Sequence, residues 1–387
     1  MTKPMHMNMT EITRLMRSGQ LSEVTQMIQS HLGSSAPAGL ATNSALPSMP
    51  AEALGTLAGM KGMTGLPSMP SQGFEALAGL KGLAGRQGLP GQGRGDMILP
   101  EGAQWLWKTH QAAGFSREFR MYVPASLQEG ADPAGLILLL HGCTQDPDDF
   151  ARGTGILEAA EQHRVLVIAP AQPSQANMNR CWNWFEPRHT AAQGGEAAFL
   201  TDLTRTIGHE FAIPPDCRFA MGLSAGGAMA VTLGSVFPED FGAVGCHSGL
   251  PNGAASDMGS AFAAMSRGGS DQGKGVGCRL FVLHGSADRT VAPANGQAVL
   301  QQSLRVQPGL QRRAAAAKLE GRNVQVTRYR DADAGLRIES WVVDGLGHAW
   351  SGGSSEGSHT ASGPSATNAM MRFFLTPGRA AGQDTVN

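Results

Sequence analysis

A single serine stands between two glycines directly after an apolar run, in the segment Gly222-Leu223-Ser224-Ala225-Gly226. Residues 217–221 are predicted to form a strand, and residues 225–237 a helix. A strand that ends in G-x-S-x-G turns so sharply into the next helix that glycine is required on both sides of the serine. The pattern predicts a nucleophile elbow, with Ser224 at a helix N-terminus whose free N–H groups favour developing negative charge. An ordinary turn is the alternative. The two interpretations differ in whether the chain also supplies a base and an acid to assist the serine.

A serine nucleophile needs a base, and the base needs a carboxylate that orients it. In a strand–turn–helix fold of this kind they follow the serine in the order Ser, Asp, His. Asp288 lies just beyond the apolar run 279–285, and His348 lies in the loop after the predicted strand 338–343. All three residues therefore follow predicted strands and are expected at one edge of a parallel sheet. A turn-capping Asp288 and a solvated loop histidine at position 348 are the alternatives, and the shared order argues against them.

Acyl transfer also requires an oxyanion hole, which is built from backbone N–H groups that face the developing charge. The first predicted donor is the N–H of Ala225, the residue after the serine. The second is expected in the loop that follows the buried run Leu136 to Leu140. We predict the Cys143 N–H, with Gly142 as the alternative, because the glycine lets the backbone approach the substrate oxygen closely.

Two tryptophans separated by one residue, Trp182 and Trp184, would face the same side of an extended segment. They are predicted to form an aromatic wall for the substrate, with core packing as the alternative. His247 and Ser248 close a further predicted strand and are expected near the same pocket. His247 is the weaker candidate for the base, because it precedes Asp288 in the sequence.

Several classes of function are disfavoured. The eleven histidines show no metal-ligand spacing such as H-E-x-x-H, so neither a metal nor a cofactor is expected. Residues 268–274 imitate a phosphate-binding loop, but Gly275 stands where that loop needs Ser or Thr. The 30 basic and 31 acidic residues form no basic cluster, so no nucleic-acid partner is expected. No run approaches the roughly 18 apolar residues of a transmembrane segment.

Strand and helix patterns alternate along the middle and C-terminal parts of the chain. This alternation predicts an α/β fold with a mostly parallel central sheet, helices on both faces and chemistry at the carboxyl ends of the strands. The predicted strands are Glu118–Pro124, Leu136–His141, Val165–Pro170, Arg218–Leu223, Ala243–Ser248, Leu280–His284 and Ile338–Val343, and the predicted helices are Phe150–His163, Gly195–Phe211, Ala225–Phe237 and Asn295–Leu304.

Five segments, in order, resemble the esterases grouped with the catalytic domains of extracellular polyhydroxybutyrate depolymerases, which are close to feruloyl and acetylxylan esterases. The resemblance implies an α/β-hydrolase fold, the catalytic residues Ser224, Asp288 and His348, and hydrolysis of short-chain hydroxyalkanoate esters, oligomers or polymer. An acetyl or feruloyl esterase that acts on plant polysaccharide is the alternative enzyme. The segments are LHGCTQ (140–145), RCWNWF (180–185), GLSAGGAM (222–229), HGSAD (284–288) and GHAWSGG (347–353).

Cysteine usage bears on the compartment. Cys143 and Cys181 lie in predicted active-site loops and in segments that carry the resemblance, so we expect a disulfide, which implies an oxidising compartment. Cys217, Cys246 and Cys278 are expected as free thiols in or beside core strands. The resemblance implies an extracellular protein, whereas the first residues lack the apolar core of a Sec signal peptide, so a cytoplasmic location is the alternative.

The first part of the chain has a different composition. Residues 1–33 are predicted to form a helical hairpin, and residues 34–95 a linker rich in Gly, Pro and Ala, in which LPSMP at 46–50 recurs at 66–70. The linker is either a flexible spacer or a contact for an apolar surface or granule. In a noncatalytic granule-binding protein, these repeats would be the functional region. The catalytic domain is expected over residues 96–378, followed by a disordered tail at 379–387.

Overall fold

The computed structural model describes residues 97–270 and 273–376. The predicted hairpin at 1–33, the repeat linker at 34–95 and the tail at 379–387 lie outside the described residues. The predicted catalytic domain is therefore seen over most of its length.

A central sheet organises the described part of the chain, where ten strands pair into one sheet and two short ones form a separate pair. The strands are β1 (Gln104–Ala112), β2 (Phe115–Val123), β3 (Gly135–Leu140), β4 (Val165–Pro170), β5 (Arg218–Leu223), β6 (Ala243–His247), β7 (Arg279–Gly285), β8 (Gln311–Leu319), β9 (Arg322–Arg330), β10 (Leu336–Val343), β11 (Trp350–Ser351) and β12 (Thr360–Ala361). Their order across the large sheet is β1-β2-β4-β3-β5-β6-β7-β10-β9-β8. The inner strands from β4 to β10 run parallel, and antiparallel strands lie at both edges.

Helices alternate with most of the parallel strands, as the sequence pattern predicts, and one helix follows the last strand. They are α1 (Ala125–Gln128), α2 (Pro147–Thr154), α3 (Ile156–His163), α4 (Gly195–Glu210), α5 (Ala225–Val236), α6 (Met258–Arg267), α7 (Ala294–Val306) and α8 (Ala366–Leu375). The α/β architecture with a mostly parallel sheet is confirmed.

The inner strands are apolar throughout because both faces of the sheet are covered. In β3, Leu136, Leu138 and Leu140 pack into one core cluster, whereas Ile137 and Leu139 pack into the cluster on the other face. Helix α5, which follows the predicted elbow, packs against β5 and β6 and is buried at every position except Val236. The residues that begin α5 are thereby fixed by the core.

The prediction of one helix from Phe150 to His163 is wrong, because two helices occupy this region. Gly155 between them adopts φ 63°, in the left-handed region. Its N–H bonds to the carbonyls of Ala151 and Arg152 and closes α2. A glycine in this conformation is a common helix terminator, and the continuous apolar periodicity concealed it.

The sequence patterns also missed the antiparallel edges and two helices. Strand β8 carries an alanine run between charged residues, is mostly exposed, and has no apolar alternation to mark it as a strand. It forms through its pairing with β9. Strand β1 pairs in the same way with β2. Helices α1 and α6 were not predicted either.

Within residues 97–270 and 273–376, no helix is both long enough and apolar enough to cross a membrane.

Candidate active site

Ser224 occupies the sharp turn between β5 and α5. Its backbone has φ 57° and ψ −118°, a region that residues with a side chain rarely adopt. The Ser224 N–H donates to the carbonyl of His247 on the neighbouring strand at 2.9 Å, which helps to hold the turn. The strained turn presents the half-buried serine at the carboxyl edge of the sheet.

The two glycines of the motif are required by close backbone packing. A Cβ atom on Gly226 would lie 2.0 Å from the carbonyl oxygen of Leu140, and one on Gly222 would lie 2.5 Å from the same oxygen. Both separations are far below van der Waals contact, and the obstructing atoms are backbone. The expected reason for G-x-S-x-G is thus visible at both positions.

Asp288 and His348 meet beyond the ends of β7 and β10, which are adjacent parallel strands. The Nδ1 atom of His348 lies 2.8 Å from Oδ2 of Asp288. The His348 side chain is 13% exposed and the Asp288 side chain is fully buried. The predicted acid and base are therefore in contact, with Nε2 of His348 left for another partner.

Asp288 is surrounded by donors. Its Oδ1 atom accepts the backbone N–H groups of Thr290 at 3.0 Å and Val291 at 2.9 Å. Burial alone would raise the pKa of the Asp288 carboxyl, but hydrogen bonds from His284, His348 and the Val291 N–H outweigh it and hold the pKa far below its usual range. Asp288 is consequently a carboxylate at any pH at which the protein would act.

The serine follows a strand of the same sheet but is not hydrogen-bonded to this pair. Strand order places β6 between β5 and β7, so Ser224, Asp288 and His348 follow strands of one continuous parallel segment. In the described part of the chain, the Ser224 hydroxyl makes no hydrogen bond, whether to His348 or to another side chain. Such contacts are often long in free enzymes and shorten when substrate binds.

Two backbone donors beside Ser224 are unoccupied. The Gly142 N–H donates to Oε1 of Gln145 at 3.0 Å, which removes Gly142 as a donor to substrate in this conformation. Among the described residues, no acceptor meets the N–H of Cys143 or of Ala225. A Cβ on Gly142 would lie 3.8 Å from Cβ of Ser224, so this loop borders the serine. An oxyanion role for these two N–H groups stays a prediction.

The expected disulfide joins Cys143 to Cys181 and is present. It links the loop after β3 to the segment that precedes Trp182. The Thr144 N–H adds a backbone bond to the carbonyl of Asn179, at 2.6 Å, across the same two loops. Cys217, Cys246 and Cys278 are free thiols, as expected.

A buried polar network beneath these loops was not predicted. Glu196, fully buried in the first turn of α4, accepts hydrogen bonds from Arg117 at 3.1 Å, Gln172 at 2.6 Å and Asn183 at 2.7 and 2.8 Å. Gln172 also donates to the carbonyl of Cys181 at 2.9 Å. The network therefore anchors the disulfide segment from below. The sequence pattern shows Glu196 only as a charged residue in a helix. It gives no sign of the three partners, because they lie in other segments of the chain.

His141 connects this network to the loop after β3, which holds the predicted oxyanion donor Cys143. Its Nδ1 atom donates to the Gly142 carbonyl at 2.8 Å, and its Nε2 atom accepts the Gln172 N–H at 3.2 Å. Burial lowers the pKa of His141 to about 4, although the bond to the Gly142 carbonyl opposes the shift. The ring is therefore neutral at physiological pH and acts as a fixed spacer.

The predicted pocket residues are all buried. Trp182 is fully buried, with its ring centroid 5.6 Å from that of His141, and Trp184 packs edge-on to Phe185 at 5.5 Å. These contacts fit the core-packing alternative for both tryptophans. His247 and Ser248 are fully buried as well, and Nδ1 of His247 lies 3.1 Å from the Ser248 hydroxyl. A direct contact of these four residues with substrate stays a prediction.

Within the described ranges, no group of three or more His, Cys, Asp or Glu side chains is arranged to hold a metal ion.

The fold is that of the α/β-hydrolases. Among solved structures, an acetyl xylan esterase from Aspergillus awamori superimposes with a TM-score of 0.54 at 17% identity, covering 70% of this chain and 98% of that one. A likeness at this identity establishes the fold.

The sequence profile of the family described as Esterase PHB depolymerase matches residues 118–326, and the chain belongs to this family. Poly(3-hydroxyalkanoate) depolymerase C of Paucimonas lemoignei is 29% identical over 241 residues, which are 59% of this chain and 57% of that protein. Poly(3-hydroxybutyrate) depolymerase of Ralstonia pickettii is 29% identical over 275 residues, 65% of this chain and 55% of that protein. The chain thus spans somewhat more than half the length of these two curated relatives.

Proposed function

We propose that this protein is a serine carboxylic ester hydrolase that acts through an acyl-enzyme. The observation that carries the proposal is the 2.8 Å hydrogen bond between His348 and the buried Asp288 carboxylate, at the sheet edge where Ser224 occupies a strained turn. This combination of nucleophile, base and orienting acid matches what acyl transfer requires.

The proposed reaction begins when Nε2 of His348 takes the proton of the Ser224 hydroxyl. The serine oxygen forms a bond to the ester carbonyl carbon, and the N–H groups of Cys143 and Ala225 stabilise the oxyanion. Asp288 stabilises the imidazolium, which then gives its proton to the departing alcohol. A water molecule attacks the acyl-enzyme by the same steps in reverse, which frees the acid and restores the serine.

The proposed substrates are short-chain hydroxyalkanoate esters or oligomers. Membership of the Esterase PHB depolymerase family and the names of the two depolymerase relatives support this class. Feruloyl esterase B of Neurospora crassa, 28% identical over 130 residues, keeps an acetyl or feruloyl esterase as the second candidate.

Steady-state kinetics on p-nitrophenyl butyrate test the reaction type. Asp288→Asn should lower kcat by about ten-thousandfold, and His348→Ala should do so at least as severely, because both remove the oriented base. Ser266→Ala and His110→Ala, on α6 and β1, are matched controls that should leave kcat unchanged. Losses of only a few-fold in the first pair would place the base elsewhere, and an inactive wild type would favour a noncatalytic binding protein; either result would contradict the proposal.

A substrate panel then separates the two candidate enzymes. Hydroxybutyrate dimers and trimers should be cleaved with a higher kcat/KM than methyl ferulate or acetylated xylan. The reverse order would assign the protein to the polysaccharide esterases.

We also propose that the protein works outside the reducing cytoplasm and that residues 34–95 contact an apolar surface or granule. The Cys143–Cys181 bridge supports the first part, because such bonds persist in oxidising compartments. The repeated apolar segments support the second part.

A further inference from the structure

His284 is the second histidine beside the Asp288 carboxylate. It is the penultimate residue of β7, and its side chain is 3% exposed. Its Nε2 atom lies 2.9 Å from the carbonyl oxygen of Val291 and 3.4 Å from Oδ2 of Asp288. The oxygen that accepts from His348 is therefore shared between two imidazoles.

The surroundings of the ring fix which nitrogen carries the proton. Nε2 faces two acceptors, the Val291 carbonyl and the Asp288 carboxylate, so it must be the donor. Nδ1 is then a lone-pair acceptor, and it is buried with no hydrogen-bond partner among the described residues. His284 thus presents one shared N–H to the edge of the site.

From this arrangement we propose that His284 is a positioning residue for ester hydrolysis. Its Nε2–H holds Asp288 in the orientation that meets His348 and draws negative charge away from the shared oxygen. The inference rests on the proposed function, because it assigns His284 a role in that reaction.

Packing alone gives a poor account of a histidine at this position. A buried polar atom without a hydrogen-bond partner destabilises the folded state, and an apolar side chain would avoid that cost. The ring borders a cavity of about 200 Å³, lined also by Ser286, Gln297 and Ser340. The site therefore has room for other side chains, yet it holds one whose Nδ1 has no hydrogen-bond partner among the described residues. Such violations are expected at functional positions.

Gly296 on α7 offers an independent way to disturb the ring. A Cβ on this glycine would lie 2.8 Å from Nδ1 of His284 and 3.1 Å from its Cβ. Alanine at 296 should push the imidazole from its position while leaving its chemistry intact. Gly259, near the N-terminus of α6, is a matched control, because a Cβ there meets only a carboxylate oxygen at 3.4 Å.

Two further histidines interact electrostatically with the pair or with its acid. Electrostatic interactions link His247 to His284, His348 and Asp288, and link His359 to His348. Removal of the His284 donor should leave more charge on Asp288, which would hold the His348 imidazolium more tightly. The acid limb of the kcat/KM profile should then move to higher pH.

Two substitutions at position 284 distinguish the effect of losing the hydrogen bond from the effect of altered packing. His284→Met keeps length and removes the donor, whereas the amide of His284→Gln can place an N–H where Nε2 stands. On p-nitrophenyl butyrate, His284→Met should lower kcat about tenfold with KM unchanged, and raise the acid limb by about half a pH unit. His284→Gln should recover most of kcat and the wild-type acid limb.

A double-mutant cycle and the glycine variant complete the test. In an Asp288→Asn background, His284→Met should lower kcat by less than about a further threefold, because the carboxylate that His284 orients is already replaced. Gly296→Ala should lower kcat, and Gly259→Ala should not. An unshifted acid limb with full kcat in His284→Met, or equal losses in the Met and Gln variants, would overturn the inference. An active Ser224→Ala enzyme would instead overturn the proposed function, so the two failures are distinguishable.

Discussion

The Nε2 atom of His247 accepts a hydrogen bond from the backbone N–H of Ser351 at 3.1 Å. The same residue accepts the Ser224 N–H through its carbonyl, and its ring stacks on Trp350 with centroids 5.0 Å apart. One residue of β6 therefore contacts both the turn that carries the serine and the loop that carries His348. The sequence placed His247 near the site, and these contacts suggest that it holds the site together.

Substitution of His247 should impair turnover more than substrate binding. In His247→Phe the ring can still stack on Trp350, but the buried Ser351 N–H loses its acceptor. We expect the free energy of unfolding to fall by about 1–3 kcal/mol. We also expect kcat to fall about tenfold with KM within a factor of about two. Urea unfolding and p-nitrophenyl butyrate kinetics measure the two effects, and His247→Gln, which retains an acceptor, is the control. Unchanged kcat in His247→Phe would contradict this account.

The Cys143–Cys181 disulfide should support catalysis as well as stability. The double variant Cys143→Ser/Cys181→Ser is expected to lose about 2–4 kcal/mol of unfolding free energy, because the unfolded chain is no longer constrained. Its kcat should fall about tenfold, since the Cys143 N–H is less firmly placed. Cys217→Ser, at a free and partly exposed thiol, is the control for a generic cysteine effect. A wild-type kcat in the double variant would show that the oxyanion loop needs no bridge.

Acid should destabilise the protein partly through His141. Its pKa of about 4 in the folded state lies below the ordinary 6.5, so the unfolded chain binds the extra proton. This contribution to stability is complete above pH 6.5 and is lost as the pH falls toward 4. Between pH 7 and pH 5, the wild type should lose about 2 kcal/mol more unfolding free energy than His141→Gln. Urea titrations at both pH values measure the difference, and parallel pH dependences would contradict it. The buried His247 is present in both proteins, so its contribution to the pH dependence of stability is the same in both and does not affect the difference.

Deletion of residues 1–94 tests whether the repeats take part in ester hydrolysis or only in surface binding. All proposed catalytic groups lie beyond position 118, so turnover of p-nitrophenyl butyrate should stay within a few-fold of the full chain. Adsorption to polyhydroxybutyrate granules should weaken if the repeats bind an apolar surface. Equal adsorption by both proteins would leave only the spacer interpretation, and loss of soluble-ester turnover would show that the N-terminal region completes the active fold.

Sequence reasoning succeeded where local chemistry dictates structure. The roles of Gly222 and Gly226 could be predicted because a sharp turn excludes side chains. The strands β3 to β7 could be predicted from their apolar runs because a covered parallel strand is apolar on both faces. Asp288 was placed beside His348 because parallel strands end at one edge. The glycine and strand inferences need only a few neighbouring residues, and the third needs only the alternation of strands and helices.

The remainder depends on contacts between distant segments. Strand β8 has no apolar alternation and is defined by its partner strand. Glu196 looks like an ordinary first-turn acid until Arg117, Gln172 and Asn183 surround it. The shared acceptor of His284 and His348 is equally invisible in sequence, because it depends on the geometry of the loop after β7.

The most direct test of the account is the reactivity of Ser224. We expect a fluorophosphonate to add once to the wild-type protein, with the adduct located at Ser224 by peptide mass spectrometry. Ser224→Ala should fold normally, remain unlabelled and lose p-nitrophenyl butyrate hydrolysis by about a millionfold, or to the assay floor. Labelling at another residue, or about a tenth of the wild-type kcat/KM in Ser224→Ala, would contradict the central claim, because removal of a nucleophile leaves far less than that.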